Sequence, residues 1–324
     1  MRAYPWLQDN ISHWQQLVLK QQVPHAILLS GAKGLGKLEL ANQMAHIALC
    51  EQLLESGVCN VCTGCNLVKA GSHTDLITIA AEKAIIKVEQ IRQLSKDIIL
   101  SSSRNQHRVV IIEDAEKMNK ASANALLKTL EEPPAKVVII LTTSEIAYLL
   151  PTIKSRCNKI NISAPRPNVA RDWLSSIATK SSAEIQLSLL LANGAPIVAK
   201  NILLNDTLES VTSMLDDLNQ LRNKQKSVLD ISKHWHVNEL LGNLRYIAAY
   251  FLTLLKINNG LNPEYSPKSV DFDNSYLQVQ NFDTKTLKFL HNIYKCIARA
   301  ETALKTELLI EELLINWQHD FKIP

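Results

Sequence analysis

A glycine-rich stretch near the start of the chain has the residue types and spacing of a phosphate-binding loop. It reads Gly31-Ala32-Lys33-Gly34-Leu35-Gly36-Lys37-Leu38 and follows a short apolar run. Glycines let backbone N–H groups converge on phosphate oxygens, the following helix N-terminus favours negative charge, and Lys37 would reach the β- and γ-phosphates. The pattern predicts a loop of phosphate-binding ancestry. The alternative is a glycine-rich turn that binds nothing.

The position after Lys37 argues against hydrolysis. Loops of this type normally continue with a Ser or Thr, whose hydroxyl ligates Mg²⁺. This chain has Leu38, which offers no oxygen. We therefore do not expect metal-assisted hydrolysis, and the sequence leaves open whether ATP or ADP is still bound.

Two acids, Glu113 and Asp114, follow the apolar run at residues 108–112. An ATPase of this kind places an Asp that holds Mg²⁺ before a Glu that polarises water, so the order here is inverted. Small misplacements of catalytic groups can cost about 10²-fold in rate. The pair therefore predicts impaired hydrolysis. The alternative is a pair of solvated acids at a strand end.

Polar residues also end the apolar run at residues 136–143. Thr142, Thr143 and Ser144 stand there, and Thr142 is the candidate sensor of a γ-phosphate. Capping of the next helix is the alternative role.

Four cysteines lie close together in the sequence. Cys50, Cys59, Cys62 and Cys65 have the spacing of a closed tetrahedral zinc site that supports structure rather than catalysis. Alternatively, Cys50 only ends a buried helix and three ligands remain. His73 is a conceivable spare ligand.

The elements that must position these residues follow from the hydrophobic pattern. Short strand-like runs alternate with helical stretches at residues 25–30, 75–80, 108–113, 136–143 and 158–163. This alternation predicts a parallel sheet with helices on both faces. Beyond Ala164-Pro165-Arg166-Pro167 the pattern is helical only. We expect an α/β domain over residues 1–164 with the cysteine insertion at 50–65, a small helical domain over 165–206 and a larger one over 207–324.

Two features are expected in the last domain. Residues 258–273 are rich in proline, glycine and asparagine and are expected to form a loop between long helices. A stripe of leucines at helical spacing is expected to face the core; its members are Leu304, Leu308, Leu309, Leu313 and Leu314.

The overall composition is that of a globular protein. Hydrophobic residues make up 46% of the 324 residues, and the net charge of +4 is spread along the chain, which permits contact with DNA without requiring it. The opening residues lack the apolar stretch of a signal peptide, and the apolar runs are far shorter than the roughly 20 residues that cross a bilayer. We expect a cytoplasmic protein with no membrane partner, where crowded cysteines favour metal over disulfides.

Three further segments resemble signature segments of bacterial clamp-loader subunits. They are residues 124–134 (NALLKTLEEPP), Ser155-Arg156-Cys157 and the opening Tyr4-Pro5-Trp6-Leu7. The resemblance is strong over the first half of the chain and weak over the helical remainder. It implies the AAA+ fold: a P-loop parallel-sheet domain, a small helical lid domain and an all-α C-terminal collar domain. In such a collar, part of the leucine stripe would lie between subunits instead of in the core.

The same resemblance distinguishes two branches of the family. Motor subunits (tau and gamma) hydrolyse ATP, whereas the delta-prime branch resembles a motor with degraded catalytic parts. This chain departs from the motor pattern at Leu38, at the inverted acids and at Ile197, where a sensor arginine of the motors would align. The departures favour delta-prime, which regulates ATPase activity in trans rather than acting as an independent catalyst. The alternative is an active motor subunit.

A third interpretation, a zinc-dependent DNA-binding module, is disfavoured because no run of Lys or Arg flanks the cysteines.

One functional residue of the family is retained, namely Arg156. The resemblance implies that this arginine is a finger that reaches the nucleotide of the next subunit. The alternative is an arginine bound within its own chain or to solvent. The implied partners are tau and gamma motor subunits and the delta subunit in a hetero-pentameric ring. The sliding clamp and primed DNA would be reached through the DNA polymerase III complex.

Overall fold

The computed structural model describes residues 4–99, 107–205, 207–235, 237–261, 276–300 and 306–321. Its internal contacts divide the chain into two compact units, Met1–Ala164 and Pro165–Pro324. Each unit is described by itself below. The finer division into three domains, with a boundary near residue 206, stays a prediction.

The first unit alternates strands and helices. In chain order its elements are α1 (Gln8–Leu19), β1 (Ala26–Ser30), α2 (Lys37–Leu49), α3 (Thr63–Lys69), β2 (Leu76–Ile79), α4 (Val88–Asp97), β3 (Arg108–Ile112), α5 (Lys120–Glu131), β4 (Val137–Thr143), α6 (Pro151–Lys154) and β5 (Asn158–Asn161). Each predicted strand is present within one or two residues of its predicted ends.

The strands form one parallel sheet in the order β2-β3-β4-β1-β5. Every residue of the three central strands is buried, whereas β2 and β5 at the edges are partly exposed. This difference explains the sequence pattern, since a parallel strand covered on both faces is a continuous apolar run. The predicted α/β fold with a parallel sheet is confirmed.

Alternating side chains of the sheet pack against helices. Leu28, Val110 and Ile139 share a core with Ile91 of α4 and Leu126 of α5. Because successive strand residues point to opposite faces, the residues between them point away from this core. There α2 packs on β1, β3 and β4. The sheet is therefore covered on both sides, as the sequence predicts.

One buried ion pair ties the edge strand β2 into the unit. Asp75, just before β2, is fully buried and accepts hydrogen bonds from Nε and Nη2 of Arg108 on β3, at 3.1 and 2.7 Å. Arg108 Nη1 also donates to the carbonyl oxygen of Asp97, at the end of α4, at 2.5 Å. One guanidinium thus joins two strands and a helix.

The described residues of the second unit form helices joined by short turns, and no strand occurs among them. Its helices are α7 (Pro167–Ile177), α8 (Ser182–Leu191), α9 (Pro196–Leu204), α10 (Thr207–Arg222), α11 (Val228–His234), α12 (Val237–Asn258), α13 (Phe282–Ala300) and α14 (Thr306–Phe321). This confirms the predicted change from mixed to helical structure. Helix α7 begins at the last residue of the predicted linker, where proline is well suited to a first helical turn.

Aromatic side chains fill the core between α12, α13 and α14. The ring of Phe251 lies 5.1–5.3 Å, between centroids, from the rings of Tyr276, Phe289 and Trp317. Trp317 also donates from Nε1 to the carbonyl oxygen of Leu218 on α10, at 3.1 Å. The indole is therefore both packed and hydrogen-bonded, as a buried Trp requires.

The leucine stripe predicted to face the core does so only in part. Leu313 and Leu314 are buried and Leu309 is partly buried, but Leu308 is 59% exposed. Leu308 was wrongly predicted because a helix of 3.6 residues per turn turns that position away from a core centred on Ile310 and Leu314. Leu304 lies outside the described residues, as do positions 262–273 of the predicted loop.

Helix α12 contains a longer apolar stretch than the sequence led us to expect. Among the described residues, its stretch Leu240–Asn258 is the one helix long and apolar enough to cross a membrane. However, 56% of that stretch is buried against the rest of the chain. Since a core helix has the same composition, the observation is weak evidence for a membrane span.

Replacement of Asp75 tests the role of the buried ion pair. We expect Asp75→Ala to lower the free energy of unfolding by about 3–5 kcal/mol, since Arg108 loses its buried carboxylate partner. Glu82→Ala is the matched control, because its pair with Lys87 is about half exposed and should change stability little. Chemical denaturation of both variants measures the difference. Equal stabilities would contradict this role for the pair.

Candidate functional site

The glycine-rich loop connects β1 to α2 at the carboxyl end of the sheet. Three of its glycines have positive φ angles, with Gly34 at 80° and Gly36 at 86°. A Cβ at Gly31 would lie 2.2 Å from the carbonyl oxygen of Ile162, and one at Gly36 would lie 2.9 Å from the ring of Tyr4. These positions therefore require glycine.

Lys37, the first residue of α2, is buried beneath this loop with only 7% of its surface exposed. Its ammonium donates to the carbonyl oxygen of Ala32 at 2.9 Å and to the hydroxyl of Ser144 at 3.0 Å. Burial lowers the pKa of Lys37, and the carboxylates of Glu116 and Asp114 oppose that shift. The cation that the sequence motif assigns to phosphate binding is thus held by oxygens of the chain itself.

The two predicted acids lie at the end of β3, in different surroundings. Glu113 is partly buried, and this burial, followed by the charge of Asp114, raises the pKa of its carboxyl group. Asp114 has a left-handed backbone, with φ of 46°, and its carboxylate pairs with Lys117 at 2.8 Å. Both acids therefore lie near the loop, and one of them already has a cation.

Among the described residues, Thr142 forms no hydrogen bond with Lys37. Its hydroxyl accepts a hydrogen bond from the backbone N–H of Asp114 at 3.1 Å, so it fixes the end of β3. Ser144, which directly follows β4, is the polar residue that contacts Lys37. Side chains two residues apart point to the same face, so Thr142 and Ser144 differ in their distance along the chain, and the residue just past the end of β4 is the one that reaches the lysine.

Glu116 is a site residue that the sequence analysis missed. One carboxylate oxygen accepts from the backbone N–H of Ser144 at 2.9 Å. The other is buried and has no hydrogen-bond partner within the described residues. The short 3₁₀ turn Ala115–Lys117, which follows β3 directly, brings this carboxylate to the loop. The sequence contained a signal for this residue, because Glu116 is a third acid only two positions after Asp114.

Aromatic residues at the start of the chain lie on the same loop. The rings of Tyr4 and Trp6 stack with centroids 4.9 Å apart, and Trp6 donates from Nε1 to the carbonyl oxygen of Leu35 at 2.9 Å. Tyr4 also contacts the position of Gly36. The opening segment and the loop therefore form one packed structure.

The four predicted cysteines come together between α2 and α3. Their sulfurs all lie within 4.8 Å of one another. Sγ of Cys50, Cys59 and Cys65 are 3.6–3.8 Å apart in each pair. A tetrahedral zinc ion with Zn–S bonds of about 2.3 Å places its sulfurs about 3.8 Å apart. This cluster could hold a metal ion, and its geometry suits zinc.

Backbone N–H groups surround the sulfurs. Cys62 donates to Sγ of Cys59 and Cys65 donates to Sγ of Cys62, both at 3.3 Å. Hydrogen bonds from the backbone of Val61 and Cys62 lower the pKa of Cys59 to about 6. Such bonds stabilise thiolates, which are the form that binds metal. His73 instead accepts at Nδ1 from the backbone N–H of Asp75 at 3.1 Å and is not a member of the cluster.

Arg156 follows α6 on the surface of the first unit. Its Nη2 lies 2.5 Å from Oε1 of Glu131, and its Nη1 donates to the carbonyl oxygen of Thr152 at 3.0 Å. Its side chain is one-third exposed. Within the described residues, no polar partner of Arg156 belongs to the glycine-rich loop. The arginine is thus bound within its own chain, but not to its own phosphate-binding site.

Comparisons with known proteins agree with this arrangement. Residues 6–166 match a family model described as DNA polymerase III, delta subunit. DNA polymerase III subunit delta-prime of Pseudomonas aeruginosa is 31% identical over 332 residues, covering 97% of each chain. DNA polymerase III subunit gamma of Buchnera aphidicola is 38% identical over 143 residues, covering 44% of this chain and 39% of the relative.

A solved structure supports the fold. The gamma subunit-related DNA polymerase III protein of Thermotoga maritima superposes with a TM-score of 0.50 at 20% identity, over 96% of this chain and 99% of the other.

The sheet order, the loop and the helical second half define a P-loop protein of the AAA+ class. Within that class, the chain belongs to the family of DNA polymerase III delta-prime subunits. Its role is that of a clamp-loader subunit, as the sequence motifs predict, and it is a subunit of the polymerase complex.

The burial of Lys37 predicts how its replacement changes the free energy of unfolding. We expect Lys37→Met to leave the free energy of unfolding at pH 7 unchanged or higher, because methionine fills a similar volume without a buried charge. In the wild type the lowered pKa means that the folded chain releases this proton before the unfolded chain does. Its unfolding free energy should therefore rise with pH between the lowered pKa and the ordinary 10.5, and the variant should lack that rise.

Urea denaturation at several pH values checks both points. Lys33→Met, in the same loop but exposed, is the matched control and should behave like the wild type. A loss of more than about 2 kcal/mol in Lys37→Met would show instead that the lysine is a structural requirement.

Proposed function

We propose that the chain is the member of the DNA polymerase III clamp loader that hydrolyses little or no ATP and supplies Arg156 to the nucleotide of a neighbouring subunit. The observation that carries the proposal is the difference between its two phosphate-related sites. Lys37 is engaged by oxygens of its own chain, whereas Arg156 lies at the surface away from its own loop.

Several features support the lack of hydrolysis. Leu38 provides no oxygen for Mg²⁺, and Asp114 is paired with Lys117 rather than left to hold a metal. Ile197, in the first turn of α9, has no charge to offer a phosphate. The glycine backbone of the loop is nevertheless intact, so bound ATP or ADP without turnover is compatible with it.

The proposed partners are tau or gamma motor subunits and the delta subunit in a hetero-pentameric ring, which acts on the sliding clamp and primed DNA. Relatives that include gamma subunits support motor subunits as neighbours. Exposed apolar residues on the last two helices support assembly as well. They are Leu287 and Tyr294 on α13 and Leu308 and Ile315 on α14, all more than half exposed. Each pair is seven residues apart and thus on one helix face.

We also propose that Cys50, Cys59, Cys62 and Cys65 bind one structural zinc ion. The four thiolates would leave no open coordination position, so the metal would stabilise the insertion and take no part in a reaction. Gln15 of α1 donates to the carbonyl oxygens of Leu54 and Glu55, at 2.7 and 2.9 Å, which attaches the insertion to the unit.

Metal analysis tests the zinc site. The purified wild type should carry one zinc per chain, and Cys62→Ser should lose it, because three thiolates cannot close a tetrahedral site. The sheet should survive removal of the metal, since the ligands are local to one insertion. Cys296→Ser, which changes a buried cysteine outside the cluster, is the control and should retain zinc. A metal-free wild type of unchanged stability would rule out the site.

Reconstitution of the loader tests Arg156. The isolated chain should show no ATP turnover above background. In the complex, Arg156→Ala should lower DNA- and clamp-stimulated hydrolysis, because a finger supplied in trans can be worth about 10³ to 10⁵ in rate at its own site. The bulk effect should be partial, since other motor sites remain. Arg156→Lys should rescue poorly, because an ammonium cannot reproduce the planar contact.

The control for this experiment is Lys154→Ala, which removes a cation two residues before Arg156, at the end of α6. ATPase and clamp loading on primed DNA are compared at matched assembly. Equal rates for the wild type and Arg156→Ala would mean that Arg156 is only structural. Turnover by the isolated chain that disappears in Lys37→Ala would indicate a motor subunit instead.

A further inference from the structure

The side chain of Arg156 is held in one orientation by a small group of oxygens. Glu131 is its charged partner, and the carbonyl oxygen of Thr152 and the hydroxyl of Ser155 accept from Nη1 at 3.0 and 3.4 Å. The Nε–H group has no hydrogen-bond partner within the described residues. One donor edge of the guanidinium is therefore left for an acceptor from outside the chain.

Glu131 lies at a position that is electrostatically unfavourable for a carboxylate. It is the last residue of α5, and the partial negative charge at a helix C-terminus disfavours an acid there. The pair with Arg156 compensates for this position. Helix α5 also packs on α6, so the carboxylate and the arginine are carried by two elements that are fixed relative to each other.

We propose that Glu131 is a positioning residue that orients Arg156 toward the phosphates of a neighbouring subunit's nucleotide. This inference rests on the proposed function of Arg156. A free arginine side chain has many rotamers, and fixing one of them when a phosphate arrives opposes the interaction. Glu131 fixes the side chain beforehand, so that the contact is made without that cost.

The direction in which the rate changes when Glu131 is replaced distinguishes positioning of Arg156 from competition for it. A carboxylate that merely competed with phosphate for the guanidinium would inhibit, and its removal would raise the rate. A positioning carboxylate supports the transition state, and its removal lowers the rate.

The experiment uses the reconstituted loader with Glu131→Gln, Arg156→Ala and the double variant. Glu132→Gln is the matched control, because it makes the same charge change at the next residue, which is exposed and forms no ion pair with the described part of the chain. We expect Glu131→Gln to lower the rate at the site that receives Arg156 by up to about fivefold, the factor that an exposed ion pair of ordinary strength supplies. The loss in the stimulated kcat of the whole complex should therefore be smaller than that caused by Arg156→Ala. KM for ATP, thermal unfolding and assembly should stay as in the wild type.

The double variant distinguishes positioning from general stabilisation. When Arg156 is already Ala, Glu131→Gln should have no further effect on kcat, since there is nothing left to orient. Glu131→Asp should rescue only in part, because its carboxylate lies one methylene further from the guanidinium.

Three other outcomes would contradict the positioning role of Glu131 or the proposed function itself. A wild-type rate for Glu131→Gln, or a higher one, while Arg156→Ala is impaired would overturn the positioning role and leave the function of Arg156 intact. An equal loss from Glu131→Gln in both backgrounds would show that Glu131 acts on the fold instead. If Arg156→Ala itself has no effect, the proposed function fails, and this inference fails with it.

Discussion

The parallel pairing of β3, β4 and β1 is the constraint on which the rest of the first unit depends. Because parallel strands all end at the same edge of a sheet, this pairing brings Ser30, Ile112 and Thr143 together. The glycine loop, the acids and Ser144 follow these residues directly. A shift of one residue in any register would turn these side chains to the other face, and the complete burial of all three strands opposes such a shift.

The sheet and the catalytic residues are therefore separable. The strands are stabilised by buried apolar side chains, by their ladder hydrogen bonds and by the Asp75–Arg108 pair, none of which belongs to the phosphate loop. A chain can lose the Mg²⁺ hydroxyl at position 38 and exchange its acids at positions 113 and 114 without loss of the fold. This separation explains how the chain can keep the architecture of a motor subunit while residues at the ends of its strands differ.

The strands and the cysteine cluster could be predicted from the sequence because both depend on local patterns. Continuous apolar runs identify strands that are covered on two faces, and the spacing of cysteines on one insertion identifies a cluster that could hold a metal ion. Partners that meet through the fold could not be predicted. Glu116 reaches Ser144 across two strand ends, and Glu131 reaches Arg156 from another helix. Leu308 shows the limit of periodicity, since it has the right spacing but lies on the wrong side of α14.

The contacts of Lys37 have a consequence for selectivity. An ammonium that already binds Ala32 and Ser144 must exchange those oxygens for those of a ligand, so binding is a competition rather than the filling of a vacancy. Only the difference between the two sets of contacts contributes to affinity. Small anions offer one or two oxygens and gain little by the exchange. A polyphosphate that also engages the backbone N–H groups of the loop gains more. For any phosphate ligand of this loop, the engaged lysine would therefore favour extended phosphate chains over inorganic phosphate.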